Sequence, residues 1–285
     1  PDTFYLVFTF RDLLEIEKRF EWQAAAGLSV EKLTPAQALE LEPSIGPGVR
    51  GALRFPLDVQ VENRRLLSAL SNSVANLGVK TFTGTNVESL NIEQDRIRGI
   101  QTSRGFISCP NVVIAAGTWS SSIPFSPASE KPALLIEPVR GQMISFEARP
   151  QLVRHVVYTP RGYIVPRRDG RLLAGSTSER AGFAKQITGG GIGSILQNAQ
   201  EICPSISALP ILDTWGGLRP RAPDNLPVLG PCDEIGGLFY ATGHYRNGIL
   251  LAPITGELIA EAVVTGVTSP LLGPFNPSRF DLVRA

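Results

Sequence analysis

Cysteine is scarce in this chain of 285 residues. Cys109, Cys203 and Cys232 make an odd count with no C-x-x-C pair, and only His155 and His244 accompany them. A disulfide framework and a structural zinc site are therefore disfavoured, and no metal site is expected. A reducing, cytoplasmic compartment fits that usage. The chain also lacks an excess of either charge. Its formal net charge is +1, with Lys and Arg scattered among Asp and Glu, unlike the basic stripe that grips nucleic acid or an anionic membrane. No uninterrupted apolar run approaches the roughly 18 to 20 residues of a bilayer span, so no membrane span is expected. Internal repeats and low-complexity segments are missing as well. Pro1-Asp2-Thr3 runs straight into Phe4-Tyr5-Leu6-Val7-Phe8, with neither an initiator Met nor a basic-then-apolar leader, so the sequence reads as entered mid-fold. What is present is the composition of an α/β globular protein, long enough for one large domain or two, whose expected partner is a small molecule.

Periodicity supplies the coarse organisation. Residues 4–8 alternate like the end of a strand, and Leu13, Leu14, Ile16 and Phe20 recur at helical spacing within 12–26. Thr34 before Pro35 is an N-cap followed by a first-turn proline. The helix it opens stops before Pro43, because the residue preceding proline avoids the α region. Leu67, Leu70, Val74 and Leu77 fall at i, i+3, i+7 and i+10, and Gly78 sits where a helix end wants a left-handed residue; a helix is predicted over 61–77. Strands are predicted over 79–82, 87–92, 97–102 and 106–109, as a small meander attached to a main sheet.

Asn111-Val112-Val113-Ile114-Ala115-Ala116-Gly117 is an apolar run ending in glycine, the pattern of a strand buried on both faces of a parallel sheet. The Ser- and Pro-rich stretch 120–131 reads as a connection. Strand-like runs recur at 139–146, 162–166 and 172–175, which makes 137–215 mainly antiparallel. A second buried strand at 237–243 and a helix over 249–264 return to the first domain, so the two domains interleave along the chain. His155 lies in an ordinary strand-like run and is expected to be structural.

Gly189-Gly190-Gly191-Ile192-Gly193-Ser194 invites a reading as a nucleotide-binding fingerprint. That fingerprint must follow a buried strand directly, whereas Ala184-Lys185-Gln186-Ile187-Thr188 is polar and Ser194 replaces the last glycine. A flexible loop feeding a helix over 194–202 is the better reading.

Three ordered segments carry a family likeness. The first is Val112-Val113-Ile114-Ala115-Ala116-Gly117-Thr118-Trp119-Ser120. The second joins Trp215-Gly216-Gly217-Leu218-Arg219-Pro220 to Asp224-Asn225-Leu226-Pro227-Val228-Leu229-Gly230. The third is Ala241-Thr242-Gly243-His244-Tyr245-Arg246-Asn247-Gly248-Ile249-Leu250-Leu251-Ala252-Pro253. Together they resemble the C-terminal signature of the FAD-dependent D-amino-acid oxidase superfamily, most closely the glycine oxidases of thiamine biosynthesis. The likeness extends to Glu137-Pro138-Val139-Arg140-Gly141-Gln142 and Tyr163-Ile164-Val165-Pro166-Arg167. Members of that family begin with a strand-loop-helix bearing G-x-G-x-x-G, which does not precede Pro1.

The resemblance implies an α/β fold in which an incomplete FAD-binding Rossmann-like domain is interleaved with a mainly antiparallel β-sheet substrate domain. Residues 1–59 and 131–215 would belong to the substrate domain, and 60–130 and 216–285 to the FAD-binding domain. It implies FAD as cofactor, a small amino acid as substrate and oxygen as electron acceptor; a homo-oligomer is compatible with it. Arg219 matches the carboxylate-binding arginine, whose fork suits a carboxylate through paired charge-assisted hydrogen bonds. Arg246 matches an arginine bordering the substrate pocket, and Tyr163 a tyrosine whose hydroxyl meets the substrate. Val87, Ala116, Gly117, Trp119, Gly217, His244, Tyr245, Arg246, Asn247, Gly248, Ile249 and Leu250 would neighbour the flavin. The helix starting near Gly248 would direct free N–H groups at negative charge, with Pro253 in or just after its first turn.

Two positions depart from the pattern. Arg161 stands where a glycine oxidase can have histidine, and Ser178 where one can have methionine. An added cation at Arg161 would favour acidic substrates, unless that side chain faces water. Three readings stay open on the sequence: an oxidase that yields an imino acid and hydrogen peroxide, a dehydrogenase of D-amino or N-methyl amino acids using another acceptor, and a fragment unable to hold FAD.

Overall fold

The computed structural model describes residues 2–126 and 134–283. The connection expected over 120–131 is thus described only as far as Ser126, and its remainder lies outside the described residues. The chain forms two compact units, one from Pro1–Glu62, Arg140–Glu179 and Ala184–Gly217, the other from Asn63–Val139, Arg180–Phe183 and Leu218–Ala285.

The first unit opens with β1 (Thr3–Val7), α1 (Phe10–Ala25), β2 (Glu31–Leu33), α2 (Pro35–Leu41) and β3 (Gly51–Phe55). The chain then enters the second unit with α3 (Asn63–Asn76), β4 (Val87–Glu93), β5 (Arg96–Thr102), β6 (Gly105–Ser108), β7 (Val112–Ile114), a 3₁₀ turn at Gly117–Ser122, and β8 (Phe125–Ser126). It returns along β9 (Glu137–Glu147) to β10 (Val156–Tyr158), β11 (Tyr163–Pro166), β12 (Arg171–Gly175) and α4 (Gly189–Ile202). Finally β13 (Ile211–Arg221) leads to β14 (Val228–Pro231), β15 (Leu238–Thr242) and α5 (Gly248–Thr265) of the second unit.

In the first unit eight strands run in the order β13-β9-β12-β11-β10-β1-β3-β2. Of the pairs with a described register, only β1 beside β10 is parallel. Alternation along each strand divides the side chains between two faces. Phe4, Leu6, Val157, Ile164, Leu172, Ile144 and Phe146 share a core with Ala38 of α2 and Ile195, Ala199 and Ile202 of α4. Tyr5, Val7 and Leu53 point the other way and pack with Ile16 of α1. β1 is covered on both faces, so all five of its residues are buried, and each large one contributes about 1.5–3 kcal/mol. Thr34 forms a full capping box with Gln37 ahead of Pro35, as the sequence pattern requires.

Two expectations for local structure change here. Residues 79–82 form no strand. The meander is β4, β5 and β6, completed instead by β8 lying parallel on β4, and it is a separate four-stranded sheet. The glycine run is not a loop but the first turns of α4, which begins at Gly189 with Thr188 as N-cap. Glycine costs a helix about 0.5–1 kcal/mol per interior position, and the packing explains why it is present. A Cβ on Gly191 would lie 2.2 Å from the Gln142 side chain. That fully buried side chain accepts from the Thr188 N–H and donates to the Thr188 hydroxyl and Glu179.

In the second unit α3 forms with Gly78 left-handed at φ +74°, yet none of its residues is buried. A three-stranded sheet has the order β14-β15-β7, with β7 parallel to β15. β15 is almost wholly buried, but β7 corrects the expectation of burial on both faces: Ile114 is buried while Val113 is 39% exposed. Burial of that kind needs a layer on each side and a neighbour on each edge, and β7 has one described neighbour. α5 runs 18 residues with mean hydropathy 1.5, so by length and composition it is a helix that could cross a membrane, an exception to the expectation from uninterrupted runs. It packs on β14 and β15 through Ile259, Leu258 and Val263. Pro253 lies just after its first turn, where it removes the donor that the Ile249 carbonyl would receive.

Candidate functional site

The carboxyl ends of adjacent parallel strands are where ligand-binding loops gather in α/β sheets, and β7 and β15 are such a pair, with Ile114 in register with Tyr240. The chain leaves β7 through Ala115, Ala116 and Gly117. Gly117 has φ +56° and open space where a Cβ would stand. It leaves β15 through Gly243, at φ +75°, where a Cβ would press to 3.1 Å on the Val228 nitrogen. Glycine is required at both for conformation, and at the second for space as well.

A chain of hydroxyls ties the two loops together. Ser120 Oγ donates to Thr242 Oγ1 at 2.8 Å, and Thr242 donates to the Gly117 carbonyl at 3.1 Å. Both side chains are buried, so the hydrogen bonds offset the cost of leaving water. Neither residue stands out in the sequence; the available signal is a small hydroxyl residue beside each strand-end glycine.

The end of β13 is pinned to the second loop. The Tyr245 N–H donates to the Pro220 carbonyl at 2.8 Å, and Arg221 bridges His244 in an antiparallel pair. Tyr245 itself is left-handed at φ +51°, a conformation uncommon for an aromatic side chain and invisible to pattern reading. Arg219, half-buried, is thereby held alongside the segment that carries Arg246, which is exposed. Asn247 turns back to the His244 carbonyl, and α5 starts at Gly248 with no side chain capping it. Ile249 and Leu250 are exposed on its first turn.

His244 Nε2 is 3.0 Å from Thr255 Oγ1 one helical stretch away. Burial holds the His244 pKa below its ordinary value, so the ring is neutral at pH 7. Trp119 is 48% exposed, its ring centroid 6.0 Å from that of Phe183. Of the remaining residues implied by resemblance, Val87 starts β4 on the separate sheet of the same unit, and Gly217 closes the first unit on β13. A cavity of about 460 Å³ in the second unit is lined by Leu134, Ile136, Glu137, Arg180 and Arg221 among others. Glu137 there accepts from Arg221 at 2.7 Å and lies 3.5 Å from Arg180.

Tyr163 belongs to the first unit. It stands in β11 on the face opposite the main core, packed with Met143, Trp215, Val156, Val165 and Leu173. Arg161 neither faces water freely nor adds an uncompensated cation. Glu201 grips its guanidinium at 2.6 Å and Asp12 lies at 3.7 Å, which removes the physical ground for favouring acidic substrates. His155 is structural, stacked on Phe4 at 4.4 Å with Nδ1 2.9 Å from the buried Glu42 carboxylate. All three cysteines are free thiols, and burial pushes Cys203 up to about 11. Among the described residues no cluster of His, Cys, Asp or Glu could hold a metal ion.

The family model for FAD dependent oxidoreductases matches residues 1–262. The chain belongs to that family. It is 38% identical over 274 residues to the bifunctional protein ThiO/ThiG of Trichormus variabilis, covering 92% of this chain and 41% of that protein. It is 34% identical to the glycine oxidase of Geobacillus kaustophilus, across 93% of this chain and 70% of that one. The crystal structure of glycine oxidase from Geobacillus kaustophilus superposes with a TM-score of 0.92 at 33% identity, over 98% of this chain and 74% of the other. The chain thus spans less than half the length of the bifunctional relative and about three quarters of the solved oxidase.

FAD is the cofactor of this family, and the second unit offers surfaces that fit its ring. The backbone at Gly117 is open to close approach, and the start of α5 keeps N–H groups uncapped by side chains. A flat, electron-accepting ring with acceptor oxygens suits both features. Gly117, His244, Asn247 and Gly248 are the candidates that would hold it.

Proposed function

We propose that this chain carries the substrate-binding part and much of the flavin-binding part of an amino-acid oxidase acting on glycine or a small D- or N-methyl amino acid. The products are the imino acid and, with oxygen, hydrogen peroxide. The observation that carries this reading is the pinning of Arg219 to Arg221 against His244 and Tyr245. It joins the end of the strand that carries Arg219 to the loop after β15 that carries Arg246. The glycine oxidase names of the relatives support it.

When bound, FAD supplies the two-electron acceptor for the α-carbon hydride. Arg219 offers the substrate carboxylate a fork of N–H donors, and Arg246 adds a second cation at the pocket border. The uncapped N–H groups at the start of α5 would favour negative charge on a ring system bound there. His244, neutral and held by Thr255, keeps the 243–247 loop in place without adding charge. With hydride leaving the α-carbon of a substrate whose amine is neutral, no catalytic base is required, and alignment carries most of the rate.

The visible absorbance spectrum tests the reading. Purified protein supplied with FAD should show a protein-perturbed flavin band that bleaches on anaerobic addition of glycine or a small D-amino acid. A flavin spectrum identical to free FAD, or one that no amino acid bleaches, would refute it. Oxygen uptake with peroxide release separates the oxidase from a dehydrogenase.

A further inference from the structure

We propose that the cavity of the second unit binds an α-amino acid with an apolar side chain, held as its zwitterion, at a place separate from the carboxylate site assigned to Arg219. Its volume of about 460 Å³ lies within the range of small-molecule sites. Every residue lining it belongs to the second unit. Leu134, Ile136 and Pro223 contribute an apolar wall, and Glu137, Arg180 and Arg221 carry charge. Arg219 stands two residues before Arg221 on β13 and does not line the cavity.

The fold fixes both the wall and the charges. The Ile136 N–H donates to Ser121 Oγ at 2.8 Å, and Ile136 packs in one core with Ile114, Val228 and Tyr240. The charged side chains are graded from the inside to the rim: Arg221 is 23% exposed, Glu137 46% and Arg180 73%. Arg221 Nε donates to Asn225 Oδ1 at 2.7 Å, and Nη1 donates to Glu137 Oε1 at 2.7 Å. A planar guanidinium anchored through two nitrogens holds the third in a set direction. Arg180 lies 3.5 Å from the same Oε1, so both cations meet on one carboxylate oxygen. Among the described residues no hydrogen bond reaches Glu137 Oε2, Arg221 Nη2 or the Arg180 guanidinium.

Those three groups define the ligand. Two cations and one anion leave a surplus positive charge, which favours a ligand with a negative group. A carboxylate with no counter-charge of its own would sit beside Glu137 and be repelled by it. An α-amino acid meets both conditions. Its carboxylate accepts from Arg221 and Arg180, its ammonium donates to Glu137 Oε2, and its side chain covers the apolar wall. The ammonium must be charged here, whereas the oxidation proposed above takes a neutral amine, so the two sites select different protonation states of one class of compound.

Isothermal titration of the full chain with L-leucine, with and without added FAD, tests the site. Saturable binding with a Kd of about 0.1–10 mM is expected. Isocaproate, which is leucine without its ammonium, should bind about tenfold more weakly, and isoamylamine, without the carboxylate, should not bind measurably. Arg180→Gln at the exposed rim should weaken leucine about two- to fivefold, while Arg219→Ala should leave its affinity unchanged. Absence of saturation by leucine, or equal affinity for leucine and isocaproate, overturns the proposal. Loss of binding in Arg219→Ala but not in Arg180→Gln overturns it too, because the ligand would then sit at the carboxylate site of Arg219. The series of ligands uses the native chain, so it decides the matter even where a variant fails to fold. Binding is read without turnover, so failure of the oxidase reading leaves this test intact.

Discussion

Helices α1 and α3 carry apolar residues at the same spacing, and the two units treat them differently. In the first unit α1 buries Ile16 against Tyr5, Val7 and Leu53. In the second, α3 leaves Leu67 65% and Leu70 51% exposed among the described residues. The sheets repeat the contrast: β1 is buried at every position, whereas β7 exposes Val113. An apolar stripe shows that a face can be buried; only the neighbouring layers show whether it is.

Substitutions should separate the units by size of effect. Phe146→Ala removes a ring that is 1% exposed in the core of the first unit and is expected to cost about 3–5 kcal/mol. Leu70→Ala on α3, half exposed, should stay within about 0.5 kcal/mol. Urea unfolding of the two variants measures both, and equal losses would erase the contrast.

Within the second unit, Arg219→Ala should raise KM for amino acids about 30- to 100-fold, the worth of a charge-assisted pair of hydrogen bonds. Flavin affinity should be spared. Loss of both together would remove the carboxylate role and leave Arg219 a structural cation.

Thr242→Val cuts the hydroxyl chain that joins the two strand-end loops and strands the buried Ser120 hydroxyl. A loss of about 1–3 kcal/mol is expected, and it should loosen flavin binding more than any comparable change in the first unit. In that first unit Thr34→Ala breaks the α2 capping box at a cost of about 1 kcal/mol, with flavin affinity as its control.

His244 adds a dependence on pH. Its folded pKa lies below the unfolded value near 6.5 because burial penalises the charged ring. The unfolded chain therefore takes up a proton that the folded chain refuses. The contribution is complete above about pH 6.5 and fades as pH falls through the depressed folded pKa. Thermal melts from pH 8 to pH 5 should fall less steeply for His244→Gln than for the native protein.

Much of the first unit was legible residue by residue. The Thr34 cap ahead of Pro35, the strand-like runs of β9, β11 and β12, and the turn at Gly78 in the second unit all follow from local rules whose partners lie within a few residues. The glycine run at 189 was misread because its reason is Gln142, far away in sequence, whose side chain occupies the place of a Gly191 Cβ. The absence of a strand at 79–82 has a related reason, since β-forming residues need a neighbour to pair with and none is described for them. Arg219, Arg246 and Tyr163 stand out as candidates because they lie in ordered motifs. Ser120, Thr242 and Met143 do not, because an ordinary hydroxyl or thioether gains its meaning from the atom it meets.

By itself the sequence determined the glycines at 117 and 243, the caps, the alternation that sorts side chains between two faces, and the family to which the chain belongs. Those follow from backbone freedom, turn chemistry and residue order, which are properties of short stretches. The tertiary structure alone decided that Arg161 is neutralised by Glu201 and Asp12, that Arg219 is pinned beside Arg246, and that Tyr163 gives its proton to Met143. Each depends on groups brought together from separate stretches of the sequence, the first and third through side chains within about 4 Å and the second through the Tyr245 N–H on the Pro220 carbonyl.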